Sequence, residues 1–337
     1  MAPQGAALAW APVQRLRRVV GRVRREGITP AEYRRITVVA LVLLCIIVVT
    51  GAAVRLSGSG LGCTDWPRCN DSELVDVGTK HAAIEQVNRL FTGLVALAVI
   101  VAVLGALIRN PRRRDLTWLT VGLVAGVIAQ IVLGGITVLV DLHPVAVQSH
   151  FLLSMILVAN AVVLLVRAGQ PDAGRRVASV VPRTRRAVRW VVIWTGLALV
   201  AGTVVTGTGP RAGDEEARRF DLAITTVTRV HSIVAWLAAA AMAFLIWHLR
   251  RLPHDREVLD APIYAWCIAA IAQGTVGYLQ YWSGVPAGLV AVHVAGATTL
   301  WGTTVWLACS THRVSQSAHQ LVGHHRDRVT SARPGRG

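Results

Sequence analysis

The chain is poor in charge. Only 16% of its 337 residues are Asp, Glu, Lys or Arg and 53% are hydrophobic, where a soluble domain carries about 25% charged residues. Acidic residues are the scarcer sign, 18 against 35 Lys and Arg, which leaves a formal net charge of +17. That excess does not read as nucleic-acid binding, because no basic segment is interleaved with aromatics on a soluble module. Cysteine is also sparse. Three of the five lie inside apolar blocks (Cys45, Cys267, Cys309) and read as small core residues, and two share one loop (Cys63, Cys69). A cleavable signal peptide is not evident: residues 1–36 are Arg-rich, and the apolar block after them is long enough to span a bilayer.

What the chain has instead is long apolar blocks, the mark of a membrane protein. Spans are expected at about 37–55, 86–108, 116–140, 146–166, 188–207, 226–249, 261–281 and 287–309. Arginines cluster before the first block, after the second, between the fourth and fifth, after the sixth and after the eighth; examples are Arg34, Arg112, Arg185, Arg250 and Arg313. With eight spans all of these fall on one side, which the positive-inside rule makes the cytoplasm, so both termini are expected there. The opposite loops carry acids such as Asp65, Glu73, Asp214 and Glu216. The tail from about residue 313 is expected to be poorly ordered, and its His319, His324 and His325 read as solvated rather than as metal ligands.

The two halves of the chain repeat. Ala129-Gln130 matches Ala272-Gln273, Gly134 matches Gly277, His150 matches His293 and Asn88 matches His231, each pair 143 residues apart. Upstream, Val49-Thr50-Gly51 resembles Val200-Ala201-Gly202 at an offset of 151, so the first outer loop is about eight residues longer than its counterpart. The expected fold is all-α and polytopic: eight transmembrane helices as two tandem four-helix bundles related by a pseudo-two-fold axis along the membrane normal. The organisation that follows is a basic cytoplasmic segment (1–36), an N-terminal half (37–167, outer loop 55–85), a linker (168–187), a C-terminal half (188–310) and a cytoplasmic tail (311–337).

Metal-binding side chains inside spans are costly and usually functional. His231 begins the sixth span and His293 the eighth. Both spans run in the same direction, so the two imidazoles are expected at one depth near the outer surface, an arrangement that suits bis-imidazole haem iron. In the first half His150 begins the fourth span, but the counterpart of His231 is Asn88, a poor iron ligand. A macrocycle there would be held by His150 from one side, with an open position that favours chemistry over plain electron transfer. Glu85 lies three residues before Asn88 on the same helical face. It reads either as a carboxylate that orients substrate, moves protons or stabilises a developing cation, or as a solvated acid at a helix N-terminus. His81 and His143 read as hydrogen-bonding residues of the outer loops. Arg55, Arg89 and Arg229 can each pair with a haem propionate or snorkel to water. Cys63 and Cys69 fall outside the membrane, where disulfides persist, and a bridge would hold their loop as a cover over the first-half site.

At these residues the chain resembles the haem A synthase family over about residues 37–310. The specific parts are the outer loop Arg55-Leu56-Ser57-Gly58-Ser59-Gly60-Leu61-Gly62-Cys63, Asp65-Trp66-Pro67 and Cys69; the acid Glu85; His150 in Val147-Gln148-Ser149-His150-Phe151; His231 in Arg229-Val230-His231-Ser232; and His293 after Val292. The resemblance implies oxidation of the position-8 methyl of haem O to a formyl group by successive hydroxylations, giving haem A for a terminal oxidase. It implies a haem b (iron) cofactor on His231 and His293, haem O in the N-terminal half with His150 as ligand and Asn88 beside it, Glu85 as the catalytic acid, and a Cys63–Cys69 pair. Many members have histidine where this chain has Asn88. The partners implied are haem O, haem O synthase, oxidase assembly factors and membrane lipid, in the plasma membrane of a bacterium; a homo-oligomer is allowed. The alternatives are a non-catalytic di-haem electron carrier, which would more naturally keep four matched histidines, and a transporter, which gives no reason for His231 and His293 to share a depth.

Overall fold

The computed structural model of the chain describes residue 14, residue 18, residues 21–23 and residues 25–315. Among these residues are eight long helices: α1 (Pro30–Leu56), α2 (Lys80–Ile108), α3 (Arg114–Leu139), α4 (Pro144–Ala168), α5 (Pro182–Thr208), α6 (Ile224–Leu249), α7 (Pro253–Trp282) and α8 (Ala287–Ser310). Their starts follow local chemistry. Four of them carry proline in the first turn, where the missing N–H costs nothing. Thr29 and Glu32 form a reciprocal capping box on α1, and the Thr79 hydroxyl accepts from the Ala82 amide at the start of α2.

Seven of the eight are long and apolar enough to cross a membrane, and only 17–39% of each apolar stretch is buried within the protein. The outward-facing Val39, Leu97, Ile128 and Trp236 therefore need lipid around them. The protein is a multi-pass membrane protein. The helix outside this set is α7, which is 30 residues long but carries Pro262, Gln273 and three tyrosines among its apolar residues. The expectation of eight spans is thus met by seven on composition, with α7 matching them in length alone.

Consecutive helices pair as hairpins, α1 with α2, α3 with α4, α5 with α6 and α7 with α8. In each half the first and fourth helices also pack together, α1 on α4 and α5 on α8. One core lies among α1–α4 around Leu44, Val99, Leu123 and Leu164, and a second among α5–α8 around Val191, Met242, Leu245 and Leu307. The halves meet where α4 packs on α8, α1 on α8 and α4 on α5, through Val48, Met155, Val158, Val162 and Val305. The Trp301 indole donates across this seam to the Met155 carbonyl at 2.9 Å. Beyond the C-terminal ends of α1 and α5 the halves also touch: Arg55 Nη2 donates to the Thr206 carbonyl at 2.6 Å, and the Gly60 amide donates to the Gly213 carbonyl at 2.9 Å.

A two-stranded antiparallel sheet, β1 (Arg175–Ala178) with β2 (His312–Ser315), joins the linker to the first residues after α8. The sequence reading expected the chain to loosen from about residue 313; instead residues 312–315 are held by strand pairing. His319, His324 and His325 lie outside the described residues.

Candidate functional site

Three of the four helix hairpins place a histidine of one helix on a glycine of the other. A Cβ built on Gly134, Gly202 or Gly277 would lie 3.2 Å from Cε1 of His150, His231 or His293 respectively, with Nδ1 next at 3.8, 3.5 and 3.7 Å. Each ring therefore rests its Cε1 corner on a neighbouring helix backbone; His231 Nε2 is also within 3.9 Å of that Cβ position, whereas Nε2 of His150 and of His293 is not within 4 Å. Larger residues would push the ring off, so the contact explains glycine at these positions. A matched amide supports two of the three: Gln130 Nε2 donates to the His150 carbonyl at 3.1 Å, and Gln273 Nε2 donates to the His293 carbonyl at 2.8 Å. The shared offset marked these glutamines as part of the repeat; their fixed spacing of 20 residues before each histidine was the signal for a role that pattern reading missed.

His231 and His293 come together, as expected. Their ring centres are 6.4 Å apart with planes at 75°. A metal–imidazole bond is about 2.0 Å and a ring centre lies about 1.1 Å beyond its nitrogen, so imidazoles on opposite sides of one iron have centres about 6 Å apart. His231 Nδ1 faces the Ala198 carbonyl at 3.1 Å, a contact that puts the proton on Nδ1 and leaves Nε2 free to ligate. The ring separation is compatible with both imidazoles binding one iron, and these residues could hold a haem.

The fourth position differs. Gly51, the counterpart of Gly202, has open space where a Cβ would stand. Asn88, in the place of His231, does not fill it, and its Oδ1 is buried without a hydrogen-bond partner. His150 Nδ1 is likewise buried and unpartnered. The first half thus brings one histidine and one amide side chain to the positions where the second half brings two histidines.

The cysteine loop closes over this end of the first half. Cys63 and Cys69 are disulfide-bonded and almost fully buried. Gly62 is pressed on the His81 carbonyl at the start of α2, where no Cβ fits, and the Ser59 hydroxyl lies 2.9 Å from His81 Nδ1. Trp66 reaches across to α3, its ring 2.5 Å from where a Gly135 Cβ would stand, beside the glycine that carries His150. From the sequence, Gly134-Gly135 reads as a place of close approach by a helix or macrocycle and Trp66 as part of the loop motif; that Trp66 itself is what approaches Gly135 has no local signal.

Glu85 is not a solvated acid. It is 6% exposed. Its Oε2 accepts from the Cys63 amide at 2.8 Å, and its Oε1 accepts from Arg89 Nη2 at 2.7 Å and Nε at 3.1 Å. Arg89 also donates to the Arg68 carbonyl at 3.0 Å and the Asp65 carbonyl at 3.2 Å. Glu85 and Arg89 together tie the covering loop to α2. Of the propionate candidates, Arg89 is taken up by this latch, Arg55 reaches the Thr206 carbonyl, and Arg229 is exposed.

The comparisons with known proteins agree with this picture. The family model for cytochrome oxidase assembly protein, COX15-CtaA, matches residues 34–82 and 74–305. The chain is 25% identical over 283 residues to a protein named heme A synthase from Listeria welshimeri, covering 80% of this chain and 92% of that protein. It is 29% identical over 296 residues to one of the same name from Geobacillus kaustophilus, covering 82% and 91%. With most of its length matched, and the histidines, the acid and the cysteine loop all inside the match, the chain belongs to the COX15-CtaA family of cytochrome oxidase assembly proteins.

Proposed function

We propose that this protein catalyses the haem A synthase reaction, oxidising the position-8 methyl of haem O to a formyl group. The observation that carries the reading is the His231–His293 pair, 6.4 Å apart and seated on matched glycines. The relatives' names support it. The family supplies the context, cytochrome oxidase assembly, and the relatives' name points to the class, an enzyme acting on haem. A di-haem electron carrier is less well supported, because the first half lacks the fourth histidine.

In this reading α7 also spans, giving eight helices, both termini in the cytoplasm, and two halves (37–167 and 188–310) related by an axis along the membrane normal. The repeated histidine–glycine and glutamine–carbonyl contacts support that relation. Haem b, held by His231 and His293, would supply a one-electron relay. Haem O is the substrate of the first half, with His150 Nε2 as its protein ligand and Asn88 beside the opposite face. Overall, R–CH3 + H2O gives R–CHO + 4 H+ + 4 e−, by way of a hydroxymethyl and a gem-diol that loses water, so an external electron acceptor must take the four electrons. Glu85 is the acid placed to hold or move a proton, at Oε2, the oxygen that faces the Cys63 amide rather than Arg89. The disulfide loop excludes water, with Trp66 packed on Gly135. Haem O synthase is the natural donor of substrate, and oxidase assembly factors the natural recipients of product.

The test is expression with a haem O source, followed by pigment extraction and mass analysis. Haem A should accumulate, and Glu85→Ala should abolish it while leaving the haem b spectrum. Unchanged haem O from folded, haem b-loaded protein would refute the assignment.

A further inference from the structure

A second site lies at the other end of the molecule. Along α6, His248 is 17 residues beyond His231, about 25 Å at 1.5 Å per residue. There α5 and α6 frame a cleft of about 320 Å³ lined by Arg183, Arg186, Ala187, Trp190, Phe244 and His248. The four α5 positions follow i, i+3, i+4 and i+7, so they form one helical face.

Polarity in the cleft is graded with depth. Arg183 and Arg186 stand in the first turns of α5, and Trp190 lies one turn further toward the membrane interior. On the antiparallel α6, Phe244 lies one turn deeper than His248 and stacks on it, ring centres 6.3 Å apart. Trp190 and Phe244 are 55% and 52% exposed. Nothing in the lining is acidic. The Asp255 carboxylate, linked to the cleft through Thr184, is buried and turned inward, accepting from the Val181 amide at 3.1 Å and the Thr184 hydroxyl at 2.6 Å. Thr184 in turn contacts His248 Nε2 at 3.2 Å, which fixes the imidazole at the rim.

Two guanidiniums and an imidazole above two exposed aromatic rings match one molecule with a phosphate at the rim and an alkyl chain below it. A free anion would gain nothing from Trp190 and Phe244; a zwitterionic lipid would bring its own cation against the two arginines along with its phosphate. We propose that this cleft binds an anionic phospholipid, its phosphodiester on Arg183 and Arg186, beside His248 at the rim, and one acyl chain along Trp190 and Phe244. The proposal does not depend on the haem chemistry.

The test is native mass spectrometry of the full-length protein released from phosphatidylcholine nanodiscs doped with phosphatidylglycerol. The wild type should retain one phosphatidylglycerol in preference to phosphatidylcholine. A surface arginine contributes about fivefold to anionic-lipid affinity, so R183Q and R186Q should each lower retention about that much and the double variant more. W190A/F244A, which leaves every charge in place, should also lower it. R250Q/R251Q, on the same rim but outside the cleft, should not. Equal loss in R250Q/R251Q, full retention in W190A/F244A, or equal retention of phosphatidylcholine would overturn the proposal. If the double arginine variant fails to fold, the two single variants carry the test.

Discussion

Replacing Arg89 with Ala should release the covering loop without disturbing the histidines. Arg89 makes two charge-assisted bonds to Glu85 and two bonds to loop carbonyls. Breaking a buried ion pair costs about 3–5 kcal/mol, but the Arg89 side chain is 21% exposed against 8% for Glu85, so screening reduces the expected cost to about 2–3 kcal/mol. At about 1.4 kcal/mol per decade, the loop should open roughly 30- to 140-fold more often. The readout is the rate at which a membrane-impermeant thiol reductant cleaves the Cys63–Cys69 bond, with hydrogen exchange across residues 58–79 as a second measure. Both should rise by that factor while the haem spectrum stays unchanged. Glu85→Gln keeps an acceptor for the Cys63 amide and should give a smaller rise, about tenfold or less. Wild-type reduction rates in Arg89→Ala would show that the loop is held by its own packing and that the latch has no energetic weight.

Other substitutions probe the same frame. Gly277→Ala puts a methyl 3.2 Å from His293 Cε1; overpacking of this kind costs about 1–3 kcal/mol, and haem b retention should fall. Gly274→Ala, with open space at its Cβ, should retain wild-type haem content. Asn88→His places an imidazole beside the open space at Gly51, and the first-half haem should shift from high-spin toward low-spin by resonance Raman, with slower turnover; an unchanged spin state would mean the side chain does not reach iron. Replacing Cys63 and Cys69 by Ser opens a ring with a sequence separation of 6, a loss of about 2 kcal/mol, read as faster proteolysis of residues 58–79.

Hydropathy located every long helix because it reports the hydrocarbon slab, and it misjudged their ends for the same reason. The fifth span was expected from 188, but α5 starts at Pro182: its first turns are Arg-rich and helical while lying outside the apolar layer. The same applies to α7, expected from 261 and starting at Pro253. The β1–β2 pairing joins two four-residue, arginine-containing segments more than 130 residues apart, and neither has an alternating pattern to announce it. In the site, the constant offsets already paired His150 with His293 and Gly134 with Gly277, so the repeat was legible; that each histidine sits on its glycine was not, because contact between helices leaves no local periodicity. Arg89 reads from the sequence as a propionate partner or a snorkelling residue, whereas the structure pairs it with Glu85 one helical turn away. Its hold on the Asp65 and Arg68 carbonyls depends on how the loop folds back.

The most direct check is the ferric absorption and paramagnetic resonance spectrum of purified protein made with ample haem. One low-spin, bis-imidazole haem should be present, and changing either His231 or His293 to Ala should eliminate it, whereas His150→Ala should leave it intact. A colourless preparation, or an undisturbed low-spin signal after loss of His293, would contradict the account at its root.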